Sequence, residues 1–276
     1  MPVLTPAQQI PWTVSTPFRM QPGLQRLAAT PPLFLRDALA GAYADSKREV
    51  LRERPRQALL GETDSAVLQA IARAYAAQTG VQLPPDAEAL ALGMQEDFVV
   101  LHDEHDGMRT RLLAVCFPSS WDPAEKHGLD FAAIHQPVAD NALLQAGAAG
   151  IVNLAFRQAS MLRHVWLLTP DSGLSQHPQR VRRRWEDVFA QVDRKDWLDQ
   201  VYFRVERQTT LPLPALGRGV FFIRVMVCPL VQVLRAAPGR FEELHDALAS
   251  MSDAVVAYRG MGTVRARLLR ALREAA

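Results

Sequence analysis

Seven histidines, two cysteines and one stretch of alternating charges hold the reactive groups of this 276-residue sequence. His135 closes the apolar turn Phe131-Ala132-Ala133-Ile134, and Pro137 ends the helical pattern by pushing Gln136 out of helical backbone. An imidazole held there is stiff and has apolar neighbours. It suits ligation of a heme iron, which takes one neutral nitrogen while the other finds an acceptor. The same pattern describes a buried histidine bonded to backbone, and the residues alone leave both readings open. Cys116, in Ala114-Val115-Cys116-Phe117, offers a thiolate ligand, but its apolar strand context reads as an inert core thiol. His102 and His105 belong to a very polar segment that reads as a solvated hairpin loop, and His177 and His245 read as surface groups. In Val201–Thr210, alternation places Tyr202, Arg204, Glu206 and Gln208 on one face and Val201, Phe203, Val205 and Arg207 on the other. In Gly219–Val227, Arg224 is a lone charge beside Val220, Phe222 and Met226 and calls for an anion. Glu206 on the expected neighbouring strand is the candidate, as a structural ion pair or as the wall of a polar pocket. The glycine-rich nucleotide loops, GxSxG and HExxH are absent.

The elements that must position these groups follow from pattern and punctuation. A chain of this length buries roughly three quarters of its unfolded surface, and 49% apolar with 22% charged residues is an ordinary globular composition. Disorder, collagen and coiled coil are excluded. A net charge of +2 makes no case for nucleic-acid binding, and Arg180-Val181-Arg182-Arg183-Arg184 reads as a solvated helix face. No apolar stretch approaches the ~20 residues that span a bilayer, and the N-terminus lacks the order of a signal peptide. Two cysteines without a CxxC spacing fit a reducing compartment, so the expectation is a cytoplasmic protein with no membrane partner.

Pro2, Pro6, Pro11, Pro17, Pro22, Pro31 and Pro32 predict an extended N-terminal arm. From Phe34 the period is helical, with Leu35, Leu39, Tyr43 and Val50 on one side and Arg36, Asp37, Lys47 and Arg48 on the other. A second helix carries Val67, Leu68, Ile71 and Tyr75 and closes at Gly80. Strands are expected at Asp97–His102, Arg109–Phe117, Arg163–Thr169, Val201–Thr210 and Gly219–Val227, with an Ala-rich helical crossing over residues 124–160 and a helix over Trp185–Val192. Two further helices carry Phe241, Leu244, Leu248 and Met251, then Val264, Leu268 and Leu272. The order predicts an α+β fold: a PAS-like five-stranded antiparallel sheet with helices on one face, an N-terminal helical layer and C-terminal helices. The expected divisions are 1–92, 93–232 and 233–276.

Several segments carry a resemblance beyond this pattern. Thr16-Pro17-Phe18-Arg19-Met20-Gln21-Pro22-Gly23-Leu24, Gln95-Glu96-Asp97-Phe98, Phe117-Pro118-Ser119-Ser120-Trp121, Ile134-His135-Gln136-Pro137-Val138 and Arg204-Val205-Glu206-Arg207-Gln208-Thr209 resemble, in order, the α subunit of heme-dependent oxidative N-demethylase and its relatives. The resemblance covers roughly residues 16–260. It implies a PAS-like domain that binds heme b, with dioxygen oxidising the methyl group of a small amine such as dimethylamine. Electrons would come from flavin and iron–sulfur centres on partner reductase subunits. It makes His135 the metal ligand, assigns Arg207 to the cofactor and raises Glu206, Arg204 and Arg224 as catalytic candidates. The chain departs from the family pattern at Ala139, at Val165 and over Thr210–Pro214. The alternative from another class is a heme-based gas or redox sensor or a heme carrier without turnover; a heme-free relative is the third reading.

Overall fold

The computed structural model describes residues 2–20, 23–28, 32–190 and 197–275; the expectations at Gln21, Pro22, Pro31 and Gln191–Val192 fall outside them. Where it is described, the proline-rich arm contains one 3-10 turn, Ala7–Gln9, and one two-residue strand, β1 (Gln25–Arg26). It runs over the body: Trp12 stacks on Phe203 and Phe18 meets Trp166 edge-on.

The N-terminal helices are α1 (Ala40–Glu53), α2 (Pro55–Ala58), α3 (Ser65–Thr79) and α4 (Ala87–Gly93), with the short strand β2 (Leu59–Gly61) between α2 and α3. Gly80 ends α3 in the left-handed conformation, φ 73°, which a side chain disfavours. Helix α1 begins only at Ala40, so Phe34–Leu39 is not helical as the period suggested. Lys47, expected on the polar side, is fully buried on the same side as Tyr43 and Leu51.

The five expected strands all form, with longer or shifted ends: β3 (Asp97–Glu104), β4 (Gly107–Ala114), β5 (Met161–Thr169), β6 (Tyr202–Leu213) and β7 (Arg218–Pro229). The sheet nevertheless has seven strands, not five, in the order β1-β5-β6-β7-β3-β4-β2, all pairs antiparallel. β1 and β2 extend its two edges; at two and three residues they are too short to show alternation, and pairing with β5 and β4 alone makes them strands.

Helices cover both faces rather than one. The reason lies in the central strands, which are apolar on both sides. On β7, Val220 and Phe222 meet α3 and α4, while Met226 and Cys228 meet the C-terminal helices α9 (Leu230–Arg235), α10 (Arg240–Ala249), α11 (Asp253–Tyr258) and α12 (Arg265–Ala275). The opposite side of β7, Phe221, Ile223, Val225 and Val227, packs on α1 and on the crossing between β4 and β5. That crossing holds α5 (Phe131–His135), α6 (Ala142–Ala146), α7 (Ala148–Asn153) and a π turn, Leu154–Gln158. β3 stops at Asp97, leaving outer carbonyls of β7 without a ladder partner; the Tyr43 hydroxyl donates to Val225 O and Thr5 N to Val227 O at 2.8 Å.

The arginine run does not form a helix. It is a loop before α8 (Trp185–Phe189), with Val181 exposed and the arginines engaged: Arg180 on Ser175 O at 2.9 Å, Arg182 on Ser120 Oγ at 2.7 Å, Arg183 on Gln200. His177 and His245 are buried, not surface groups. His177 lies 3.4 Å from Asp122, and His245 accepts from Arg273 at 2.9 Å.

Candidate functional site

His135 is the last residue of α5, a helix started by Asp130, whose carboxylate accepts from Ala133 N at 2.8 Å. The helix ends before Pro137 as the sequence requires, yet Gln136 keeps helical dihedrals, so the proline acts by lacking an N–H rather than by turning its predecessor. His135 Nδ1 lies 2.7 Å from Phe131 O. A carbonyl only accepts, so Nδ1 carries the proton, and Nε2 has no hydrogen-bond partner among the described residues. The ring packs on Phe131 at 4.1 Å. Burial holds its pKa below the usual histidine value, with the charges of Arg163 and Lys126 adding to the effect. The imidazole is therefore neutral at physiological pH and offers one uncommitted nitrogen.

Strand register sets out the sheet face whose Arg163 charge reaches this histidine. Arg204, Glu206 and Gln208 of β6 pair with Leu167, Val165 and Arg163 of β5, and all six share one sheet face. Glu206 is held at both oxygens: the Ser119 hydroxyl donates to one and Gln208 Nε2 to the other at 2.7 Å. Arg204, fully buried, donates to Ser119 Oγ at 2.8 Å, Phe117 O at 3.0 Å and Gly173 O at 3.2 Å. Burial pulls its pKa down to about 10, so it remains charged at neutral pH. Ser119 thus sits between a cation and a carboxylate, and its neighbour Ser120 occupies a left-handed conformation, φ 68°, that a non-glycine residue rarely adopts without reason.

The other two predicted residues belong elsewhere. Arg207 and Arg224 face each other across β6 and β7 on the opposite side of the sheet. Arg224 pairs with Asp37 at 2.7 Å, donates to Leu35 O at 3.0 Å and stacks on Tyr43; the expected Glu206 partner lies on the far face. Arg207 donates to Leu33 O at 3.0 Å and to Pro32 O. Both clamp the N-terminal segment and are not brought to His135. Cys116 is buried and its thiol is pushed up to about 12 by desolvation, as an inert core thiol should be.

Ser119, Gln208, Arg163 and Tyr258 join the site without having been singled out. Gln208 was legible in the β6 alternation, and Ser119 stood in the Phe117–Trp121 segment. Arg163 shows in register only, and Tyr258 of α11 carries no sequence signal. Its phenol feels the charges of Glu206 and Arg163, and burial raises its pKa.

The roof over this face is unusual in one respect. Between Phe131 and Gly150 only Leu144 is buried; Phe131, Ile134 and Val138 are half-buried, Leu143 is exposed, and below them Val165 and Leu167 of β5 are also half-buried. Two surface depressions, of about 410 Å³ beside α1 and α2 and about 330 Å³ beside α9, do not border His135. Among the described residues no group of three or more His, Cys, Asp or Glu is placed to hold a metal ion, and no helix is long and apolar enough to cross a membrane. A metal held here by this chain would thus have a single imidazole ligand. That is the donor set of a heme iron, whose other four in-plane ligands come with the porphyrin. A neutral imidazole with its second nitrogen on a carbonyl, half-buried apolar walls and a nearby guanidinium fit that group.

The fold and site define an α+β protein with an uncommitted imidazole on α5 and a braced carboxylate on β6, both within charge range of Arg163. Residues 47–269 match the family described as haem-dependent oxidative N-demethylase, alpha subunit-like, and the chain belongs to that family. Comparison with curated proteins gives no match.

Proposed function

We propose that this chain is the heme-carrying subunit of an enzyme that oxidatively removes a methyl group from a small amine such as dimethylamine, with dioxygen as oxidant and electrons from a partner flavin and iron–sulfur reductase. The observation that carries this reading is the pairing of an uncommitted, neutral His135 Nε2 with a helical roof whose apolar residues are only half-buried. His135 would hold the iron through Nε2, its ring oriented by the Nδ1–H bond to Phe131 O. Heme, when bound, supplies oxygen activation and accepts the electrons.

The chain's own groups bind and position. Glu206 receives the substrate ammonium, and Ser119 and Gln208 fix the carboxylate so that the methyl group is presented in one orientation. Arg204 braces Ser119 from behind, each of its three nitrogens donating to an acceptor other than Glu206. Val165 and Leu167 keep the wall apolar and restrict water.

The test is reconstitution of the full chain with hemin. His135→Ala should abolish the histidine-ligated Soret spectrum; spectra identical to wild type in both ferric and ferrous forms would remove the ligand assignment. With NADPH and a competent reductase, dimethylamine should raise oxygen uptake and release formaldehyde. A clean Soret band with no amine-dependent turnover would favour the sensor or carrier reading.

A further inference from the structure

Arg163 is the charged group of this sheet face that the proposed reaction leaves unused. It stands on β5 opposite Gln208 and one diagonal step from Glu206, on the same sheet face. Diagonal neighbours across strands lie about 7–8 Å apart, within electrostatic reach but beyond contact. The charges of Arg163 and Glu206 do act on each other, and that of Arg163 acts on His135 as well. Yet Arg163 makes no hydrogen bond or ion pair with any described residue. The contrast with Arg204, four residues of register away and donating from each of its three nitrogens, is direct. Arg163 is only half-exposed at most, and burial lowers its pKa. The guanidinium keeps a path to water while no acceptor among the described residues takes it up, and its planar fork matches a carboxylate in bidentate geometry.

We propose that Arg163 is the carboxylate-receiving group of this sheet face, pairing with a carboxylate that arrives on a ligand. Two ligands carry one here: a porphyrin, through a propionate, and an N-methyl amino acid, whose ammonium would sit on Glu206 while its carboxylate sits on Arg163. The naming of these ligands rests on the heme and amine reading above; the carboxylate chemistry rests on Arg163 itself.

The experiment titrates wild type, Arg163→Met and Arg163→Lys with hemin and with hemin dimethyl ester, whose propionates are blocked, following the Soret band. A propionate partner predicts hemin binding about ten- to a hundredfold weaker in R163M, intermediate in R163K, and dimethyl ester binding equal in all three. A substrate partner predicts unchanged hemin binding, with the spectral response to N-methylglycine lost in R163M and the response to dimethylamine kept. Equal hemin affinity together with equal N-methylglycine binding in R163M and wild type overturns the proposal. R163K, which keeps the charge but not the fork, decides by the same comparisons if R163M does not fold. If wild type gives no Soret band with either porphyrin, the heme reading fails separately. Thermal shifts with N-methylglycine and propionate then decide: stabilisation of wild type that is absent in R163M sustains the carboxylate site, and no stabilisation of wild type overturns it.

Discussion

Ser119 shows how little of a side chain's role its own chemistry reveals. Its hydroxyl donates a hydrogen bond to Glu206 and accepts one from Arg204, so a single small residue aligns the two charges nearest the proposed amine position. Ser119→Ala removes both bonds and leaves the buried Arg204 Nε without an acceptor. The expected loss is about 1–3 kcal/mol of stability by urea denaturation, together with a raised KM for amine and an unaltered Soret band. A drop in stability with unchanged KM would mean that Glu206 does not hold the substrate. On the other face, burial lowers the His164 pKa to about 4, helped by the charge of Arg207. An unfolded histidine titrates near 6.5. As pH falls from that value toward about 4, the unfolded chain takes up a proton that the folded chain refuses, so stability is lost across this window. The loss is on the order of 2–3 kcal/mol when complete. Urea midpoints measured at pH 7 and pH 4.5 should converge in His164→Gln relative to wild type; an equal pH dependence in both proteins would locate the acid sensitivity elsewhere.

Among the elements, the crossing from β4 to β5 is fastened before α5, where Gly128 N donates to Thr110 O at 2.9 Å and Thr110 N to Leu129 O at 3.1 Å, and again at the π turn. A Cβ on Gly219 of β7 would lie 2.7 Å from Phe156 Cβ and 3.1 Å from Phe156 O, so the π turn reaches the sheet at the one place where β7 has no side chain. Gly219→Ala pushes on backbone-attached atoms that cannot swing aside. The cost should be about 1–3 kcal/mol, read as a lower Tm, with weaker hemin binding because the whole crossing is displaced; an unchanged Tm would mean the contact is slack. Between these points α5 and α6 bury only Leu144, so their amides should exchange quickly in the apoprotein and slow on hemin binding. The same contrast explains what the sequence makes legible. All five long strands and helices α3, α10 and α12 announce themselves, because their period or closing residue is local: Gly80 after α3, and the strict alternation of Tyr202 to Gln208. β1 and β2 do not, since the edge they meet decides their conformation. Nor does the arginine loop, which is straightened by partners as distant as Ser120 and Gln200. At the site, pattern alone left His135 open and showed Arg204 and Glu206 only as one face of a strand, their site roles coming from the family resemblance, whereas the assignment of Arg224 to the far face needed strand pairing, and Arg163 needed the register of β5.

Across the molecule, buried charges join the N-terminal segment and α1 to the sheet and, through it, to the site. Arg224 and Arg207 hold the chain at Pro32–Asp37 on one face. At the end of β3, the fully buried Lys47 donates to Glu96 O at 2.6 Å and pairs with Asp97 at 3.0 Å. The other Asp97 oxygen accepts from Phe117 N at 2.7 Å, two residues before Ser119. A charge on α1 therefore fixes the loop that orients Glu206, although Lys47 itself touches nothing in the cleft. Lys47→Met should strand a buried carboxylate and cost about 3–5 kcal/mol, whereas adding Asp97→Asn to it should recover part of that loss, since the remaining amide carries no charge. The loop argument makes a second demand. The single variant, assayed at a temperature where it is still folded, should show a raised KM for amine with its Soret band intact, because Phe117 and hence Ser119 have lost their anchor. Recovery of stability in the double variant without recovery of KM would show that Asp97 serves the loop as well as the fold; a single-variant loss below about 1 kcal/mol would show that the pair contributes little to either.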